Sequence, residues 1–195
     1  MSKAAVRILV LLAGMAVAAP VMAWNIVMEG KPYTHKASGY TIQYPAGWRY
    51  ETMGDGILAT RDGTCMQKMY VDFRTHKNAF IVLGKEATPE MTPQELAEKI
   101  VQEVQADGSL QNMQVLSNEP TTLAGRPAFR IHVSFRTSVD AGSVRYEGIV
   151  VGANSPQGIF LVHYDGSVLY YFARDVETYN KTLATFAIAE LKPPD

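Results

Sequence analysis

The most regular alternation of apolar and polar positions in the chain runs from Phe129 to Arg136. Phe129, Ile131, Val133 and Phe135 take one phase, and Arg130, His132, Ser134 and Arg136 take the other. A period of two puts alternate side chains on opposite faces of a strand, so this stretch reads as a strand with one buried face. Tyr40, Ile42 and Tyr44 alternate with Thr41 and Gln43 in the same way. Pro45 then fixes φ and removes a donor, and Gly47 permits a tight turn. Trp48 follows as a large apolar body that closes one end of the core. Residues 48–52 and 57–61 read as short strands, separated by the turn cluster Met53-Gly54-Asp55-Gly56. Asp62-Gly63 signals a two-residue hairpin into a longer strand over 64–74. In that strand Met69, Val71 and Phe73 alternate with Lys68, Tyr70, Asp72 and Arg74, and residues 78–83 extend the sheet.

A different period takes over at Thr92-Pro93-Gln94-Glu95, which has the form of a capping box with proline at the first helical position. Leu96, Ala97, Ile100, Val101 and Val104 make one apolar stripe, with Glu98, Lys99, Gln102 and Glu103 facing water. This predicts a helix over 93–106, stopped by Asp107-Gly108. Residues 114–117 read as a strand closed by Asn118-Glu119-Pro120, and 123–127 as a tight turn into the Phe129 strand. Asp140-Ala141-Gly142-Ser143 turns that strand into 144–153, and 154–158 turns again into 159–164. These last two strands are apolar on both faces, the pattern of a central position covered on both sides. Residues 168–172 fit either the end of the sheet or the start of a helix. Asp175 suits an N-cap, Val176, Tyr179, Leu183 and Phe186 keep helical spacing, and Pro193-Pro194 excludes helix beyond Lys192. Hairpin-linked strands with two separated helices make an α+β domain on an antiparallel sheet.

Composition changes the picture mainly at the N-terminus. Lys3 and Arg7 precede an apolar run over 8–19, and Val21 and Ala23 occupy the −3 and −1 positions of a cleavage site before Trp24. Residues 1–23 therefore read as a cleavable signal peptide and 24–195 as one exported domain, periplasmic or secreted. The apolar run is shorter than the ~20 residues that span a bilayer as a helix, and no later segment qualifies. Lys3 and Arg7 are the only charges in the leader, so its removal takes the formal charge from −1 to −3. That balance, without a basic run, gives no basis for nucleic-acid binding. Cys65 is the single cysteine, which excludes an internal disulfide. It reads as a small buried hydrophobe rather than a reactive thiol.

The strand-turn opening YTIQYPAGW, the helix led by TPQEL, the stretches LAGRPAFRIHVSF and GIFLVHYDG, and a final helix ending in TLATF resemble the PsbP-like superfamily. That group includes the lumenal photosystem II extrinsic protein, Mog-type Ran-binding proteins and DcrB-like bacterial envelope proteins. The resemblance spans 39–186 and rests on the order of elements. It implies a central antiparallel sheet sandwiched by helices, and adaptor, assembly or ligand-binding roles without catalytic residues common to the group. The simple leader without a lipidation cysteine departs from the envelope-lipoprotein form.

Candidate chemistry is sparse. His35, His76, His132 and His163 are scattered, with no HExxH and no CxxC. His163 and Asp165 are two apart, hence on one face of a strand, and with His132 they are the weak metal or ligand candidates. No cofactor is implied. Gly-x-Ser-x-Gly is absent, Gly142-Ser143 and Gly166-Ser167 are hairpin-type turns, and Gly54-Asp55-Gly56 lacks the rest of a phosphate loop. Glu86 and Glu90 lie in a solvated loop. Tyr164, Tyr170, Tyr171, Phe172 and Tyr179 gather near the last strand and helix, as core caps or as a partner surface. The expected function is a non-enzymatic binding, adaptor or assembly protein whose partner is another envelope protein. The alternatives are a small-ligand or metal-binding module and, more weakly, a hydrolase.

Overall fold

Ile159, Phe160, Leu161 and Val162 are successive residues of one strand, and none is more than 2% exposed. Consecutive strand residues point to opposite faces, so both faces of the sheet are covered at this strand. The computed structural model describes residues 25–26, 31–53, 56–139 and 142–189. The leader read at 1–23 and the stop at Pro193-Pro194 lie outside these residues, as do the turn residues Gly54, Asp55, Asp140 and Ala141.

The main sheet has eight strands. In chain order they are β1 (Asn25–Ile26), β4 (Arg49–Met53), β5 (Gly56–Thr60), β6 (Gln67–Arg74), β7 (Gln111–Leu123), β8 (Arg126–Val139), β9 (Gly142–Ser155) and β10 (Gly158–Ser167). Their spatial order is β1-β4-β5-β6-β10-β9-β8-β7, with antiparallel pairing throughout. A second sheet joins β11 (Ala187–Ile188), β3 (Tyr40–Ile42) and β2 (Tyr33–His35). Two α-helices complete the described fold, α1 (Pro93–Asp107) and α2 (Tyr171–Leu183). On one face α1 sets Leu96, Ala97 and Ile100 against Phe129, Ile131, Phe135, Ile159 and Leu161. On the other, Tyr179 of α2 and the small sheet pack on Val151, Phe160, Val162 and Tyr164. One helix covers each face, with the small sheet sharing the α2 side.

Several local expectations are met by the chemistry that motivated them. Thr92 Oγ1 accepts from the Glu95 N–H at 3.3 Å, and Glu95 accepts the Thr92 N–H at 2.8 Å, closing the capping box at α1. Gly47 takes φ +76° after Pro45, and Trp48 is buried at 3% exposure in the α2-side core. Residues 168–170 form a turn, and the helix begins at Tyr171.

Other expectations need correcting. Asp62-Gly63 does not close a two-residue hairpin: the connection from β5 to β6 runs over residues 61–66, and Thr60 Oγ1 accepts the Gly63 N–H within it. Cys65 sits in that connection and is exposed, not buried. Residues 78–83 leave the sheet after a 3₁₀ turn at His76–Asn78 and fold back through a Phe80–Lys85 bridge. Glu103 is buried rather than facing water, because it accepts the Val82 and Leu83 N–H groups of that excursion at 2.9 and 3.0 Å. Pro120 does not end β7. As the outermost strand of the sheet, β7 has one side free of ladder bonds, where a missing N–H is tolerated. Asp175 lies inside α2, where Arg174 Nε donates to both of its carboxylate oxygens at 3.0 Å.

If Trp48 closes the core as its burial indicates, Trp48→Ala lowers the unfolding free energy by about 3–5 kcal/mol. Urea titration of the two proteins measures this directly.

Candidate functional site

Cross-strand register sorts the polar residues of the sheet by face. His163 of β10 stands opposite Tyr70 of β6 and Val150 of β9, and Val150 stands opposite Ile131. Two residues on, Asp165 stands opposite Lys68 and Gly148, and Gly148 opposite Val133. Both rows lie on the α1 face. The row between them, Met69, Tyr164, Ile149 and His132, faces α2. The sequence candidates are thus divided: His163 and Asp165 share a face, and His132 is on the opposite one. Among the described residues no three of His, Cys, Asp and Glu gather as a metal-holding group.

His132 accounts for itself structurally. Its Nε2 lies 3.0 Å from Glu147 Oε2, and its ring stacks on Phe172 at 5.3 Å. Arg130, in the same polar phase, donates to Asn180 of α2 at 3.0 Å. The polar phase of the Phe129 strand is therefore partly a seat for α2. His35 Nδ1 is 2.8 Å from Ser38 Oγ, and His76 Nε2 is 2.9 Å from Asn154 Oδ1.

His163 is different. Its Nε2 is buried with no hydrogen-bond partner among the described residues. Its ring lies flat on Tyr70, with centroids 4.3 Å apart and planes 6° from parallel. Burial pushes the imidazole down to about 4, so it is neutral near neutral pH. Burial pushes Asp165 up to about 6, opposed by Lys68 Nζ at 3.9 Å. Burial also raises the Tyr70 hydroxyl well above its ordinary range. Gly148 makes room for the carboxylate: a Cβ there would stand 2.5 Å from Asp165 Oδ1. Lys68, Tyr70, His163 and Asp165, with Arg74 and Thr137, form the polar part of the lining of a cavity of about 170 Å³ beneath α1, whose other lining residues are apolar and include Val101, Val104 and Met113.

Sequence reasoning missed Tyr70, Lys68 and Gly148. Tyr70 and Lys68 were legible only as the outer phase of β6, since nothing local reveals that β10 pairs with β6. Gly148 within a strand pattern was the available signal, as such a glycine marks close approach of another group.

At the other face the aromatic cluster divides. Tyr164 and Tyr179 are fully buried, their hydroxyls donating to the carbonyls of Tyr171 and Phe172 and of Val162. Tyr170 is exposed and Tyr171 half-buried. Arg174 stacks on both, 5.1 Å from each ring, while bonding Asp62 and Asp175. Asp175 and Asp62 hold its guanidinium above its ordinary range. This clamp ties the 61–66 connection to the start of α2, and Ser167 N–H donates to Met66 O at 2.9 Å beside it. Leu169 at 88%, Tyr170 at 58% and Met66 at 39% exposure crown this end of the sheet.

The buried pair makes opposite demands on protons. Folded His163 titrates below its ordinary 6.5, so its contribution is lost as pH falls from 6.5 towards 4. Folded Asp165 titrates above its ordinary 3.8, so its contribution is lost as pH rises from 3.8 through 6. Between about 4 and 6 the two slopes cancel in the native protein. Relative to it, Asp165→Asn gains stability with rising pH over that window and His163→Leu loses it, each by up to about 1.4 kcal/mol per pH unit. Chemical denaturation at stepped pH tests this; curves parallel to the native protein's would contradict it.

No protein-family model and no curated sequence matches the chain. Solved structures do. The solution structure of cyanobacterial PsbP (CyanoP) from Synechocystis sp. PCC 6803 is similar with TM-score 0.51 and 12% identity, over 90% of this chain and 99% of that one. LpqN, involved in cell envelope biogenesis of Mycobacterium tuberculosis, is similar with TM-score 0.52 and 14% identity, over 82% of this chain and 90% of that one. The Saccharomyces cerevisiae Ran-binding protein Mog1p gives 0.54 and 9%, over 85% and 96%. Against a Bacteroides thetaiotaomicron protein, at 0.50 and 12%, the chain spans about half of the other's length, 52%. At these identities the likeness is one of fold. The chain has the PsbP/Mog-like fold.

Proposed function

We propose that this chain is an exported, non-enzymatic binding or adaptor protein of the bacterial envelope, and that its partner is another envelope protein. The observation that carries this reading is the crown formed by Leu169, Tyr170 and Met66. Large apolar and aromatic side chains held out to solvent on a rigid base suit a protein interface, where aromatics, Met and Arg are enriched. The base is rigid because Arg174 bridges two carboxylates and two tyrosine rings. Export is supported by the leader pattern over 1–23 and by the envelope role in the name of LpqN. Among the described residues no helix is long and apolar enough to cross a membrane.

A second reading, a small-ligand module, is favoured by one specific observation, the cavity at His163. Its metal-binding version loses His132, which stands on the far side of the sheet.

The partner reading predicts position-dependent capture. A photoreactive amino acid at Leu169 or Tyr170, in cells making the full chain, yields a discrete crosslinked envelope protein. The same group at Glu98, on the exposed side of α1, does not. Arg174→Ala weakens the crosslink by loosening the base. Equal labelling at all three positions would overturn the assignment of this end.

A further inference from the structure

We propose that a recess between β7, β8 and β9 binds a phosphate monoester, its oxygens held by the paired guanidinium groups of Arg136 and Arg145. This site does not rest on the partner reading of the Leu169 end.

Strand register brings the two arginines together. Arg136 of β8 stands directly opposite Arg145 of β9, and both are exposed. They share the phase of His132 and Ile149, hence the α2 side of the sheet. Like charges directly opposite on neighbouring strands repel, so the pair is unfavourable until an anion joins it. Among the described residues no carboxylate forms an ion pair with either guanidinium. Glu147, the next residue of β9 on that face, is engaged by His132 at 3.0 Å. Arg136 Nη1 reaches only the Ser143 carbonyl and hydroxyl, at 3.5 and 3.4 Å, which leaves most of the guanidinium donors unmet.

The surroundings shape a seat for the anion. Asn112, Gln114, Ser134 and Phe135 join the two arginines in lining a recess of about 210 Å³, and no acidic residue is among the described residues that line it. The pairing of β7 with β8 shifts register between Gln111 and Gln114, where Asn112 takes a left-handed φ of +51°. A bulge of this kind re-aims side chains at a sheet edge. Asn112, Gln114 and Ser134 add neutral donors beside the charged ones.

Donor geometry selects the ligand. A carboxylate presents two oxygens in one plane, which match one guanidinium fork. A phosphate monoester presents three, enough for a fork from each strand and for a neutral donor, and its charge of about −2 balances two arginines. At ~30 Å³ per water the recess holds roughly seven waters, room for a phosphate group with a small substituent. Val168 N–H donates to the Arg145 carbonyl at 3.2 Å, so the turn carrying Leu169 and Tyr170 borders the recess. A soluble ester and a phosphatidic acid headgroup offer the same chemistry there, and the experiment separates them.

Amide chemical shifts of the full chain are followed during titration with glycerol 3-phosphate and with acetate, at constant ionic strength and about pH 7.5, where the ester is a dianion. Glycerol 3-phosphate gives saturable shifts centred on Asn112, Gln114, Ser134 and Arg145, and acetate binds about tenfold or more weakly, having fewer oxygens to pair. Arg136→Gln and Arg145→Gln each weaken the ester about ten- to hundredfold, the worth of a charged hydrogen-bonded contact. Lys85→Gln, which removes one exposed charge elsewhere, leaves its affinity unchanged. Cosedimentation with phosphatidylcholine vesicles containing phosphatidic acid, lost in Arg145→Gln, assigns the ester to a lipid headgroup; without cosedimentation the soluble ester is the ligand. The native chain's shift map decides the location even if a variant fails to fold. Absence of saturable shifts, shifts centred elsewhere, equal affinity for acetate, or equal weakening by Lys85→Gln would each overturn the proposal.

Discussion

The structure depends on β10 being buried on both faces. A strand in that position must satisfy two cores at once, so all four residues from Ile159 to Val162 are apolar and the strand pairs with a neighbour on each side. Burial on this scale drives folding, at roughly 25 cal/mol per Å² of apolar surface removed from water. It also dictates where the helices go. With α1 on one face and α2 and the small sheet on the other, each covers a face that would otherwise expose a row of large side chains.

That same constraint makes the polar end of the strand chemically unusual. His163, Tyr164, Asp165 and Gly166 continue β10 beyond its apolar run; Tyr164 and Gly166 stay buried, while His163 and Asp165, on the α1 face, are partly exposed. Tyr164 meets the demand with a hydroxyl bonded to the start of α2. Asp165 meets it with Lys68 and with the space left by Gly148. Of these residues His163 leaves a buried side-chain atom, Nε2, unpaired. The fold thus places a neutral imidazole against a mainly apolar cavity as a consequence of its strand order. At the opposite face the Arg174 clamp converts buried charge into a rigid end from which Leu169 and Tyr170 project.

Much of the fold was legible in the sequence. Alternation located β6 and β8, bounding turns and two-faced apolar runs over 144–153 and 159–164 located β9 and β10, which prove central, and the capping box located α1. What escaped was set by partners distant in the chain. Glu103 reads as a solvent-facing residue until the 80–85 excursion supplies two N–H donors, and Asp175 reads as a cap until Arg174 and Gln67 enclose it. Pro120 reads as a strand terminator unless the strand is known to be at an edge. The site shows the same limit. His163 and Asp165 were visible as a same-face pair, but their burial, their rows and the separation from His132 arise from register across four strands.

The central claim is that two-sided burial of β10 keeps His163 neutral. Direct NMR titration of its imidazole in the folded protein tests that claim most closely. The account predicts that the ring resonances hold their neutral positions down to about pH 4. A midpoint near the ordinary 6.5 would contradict it.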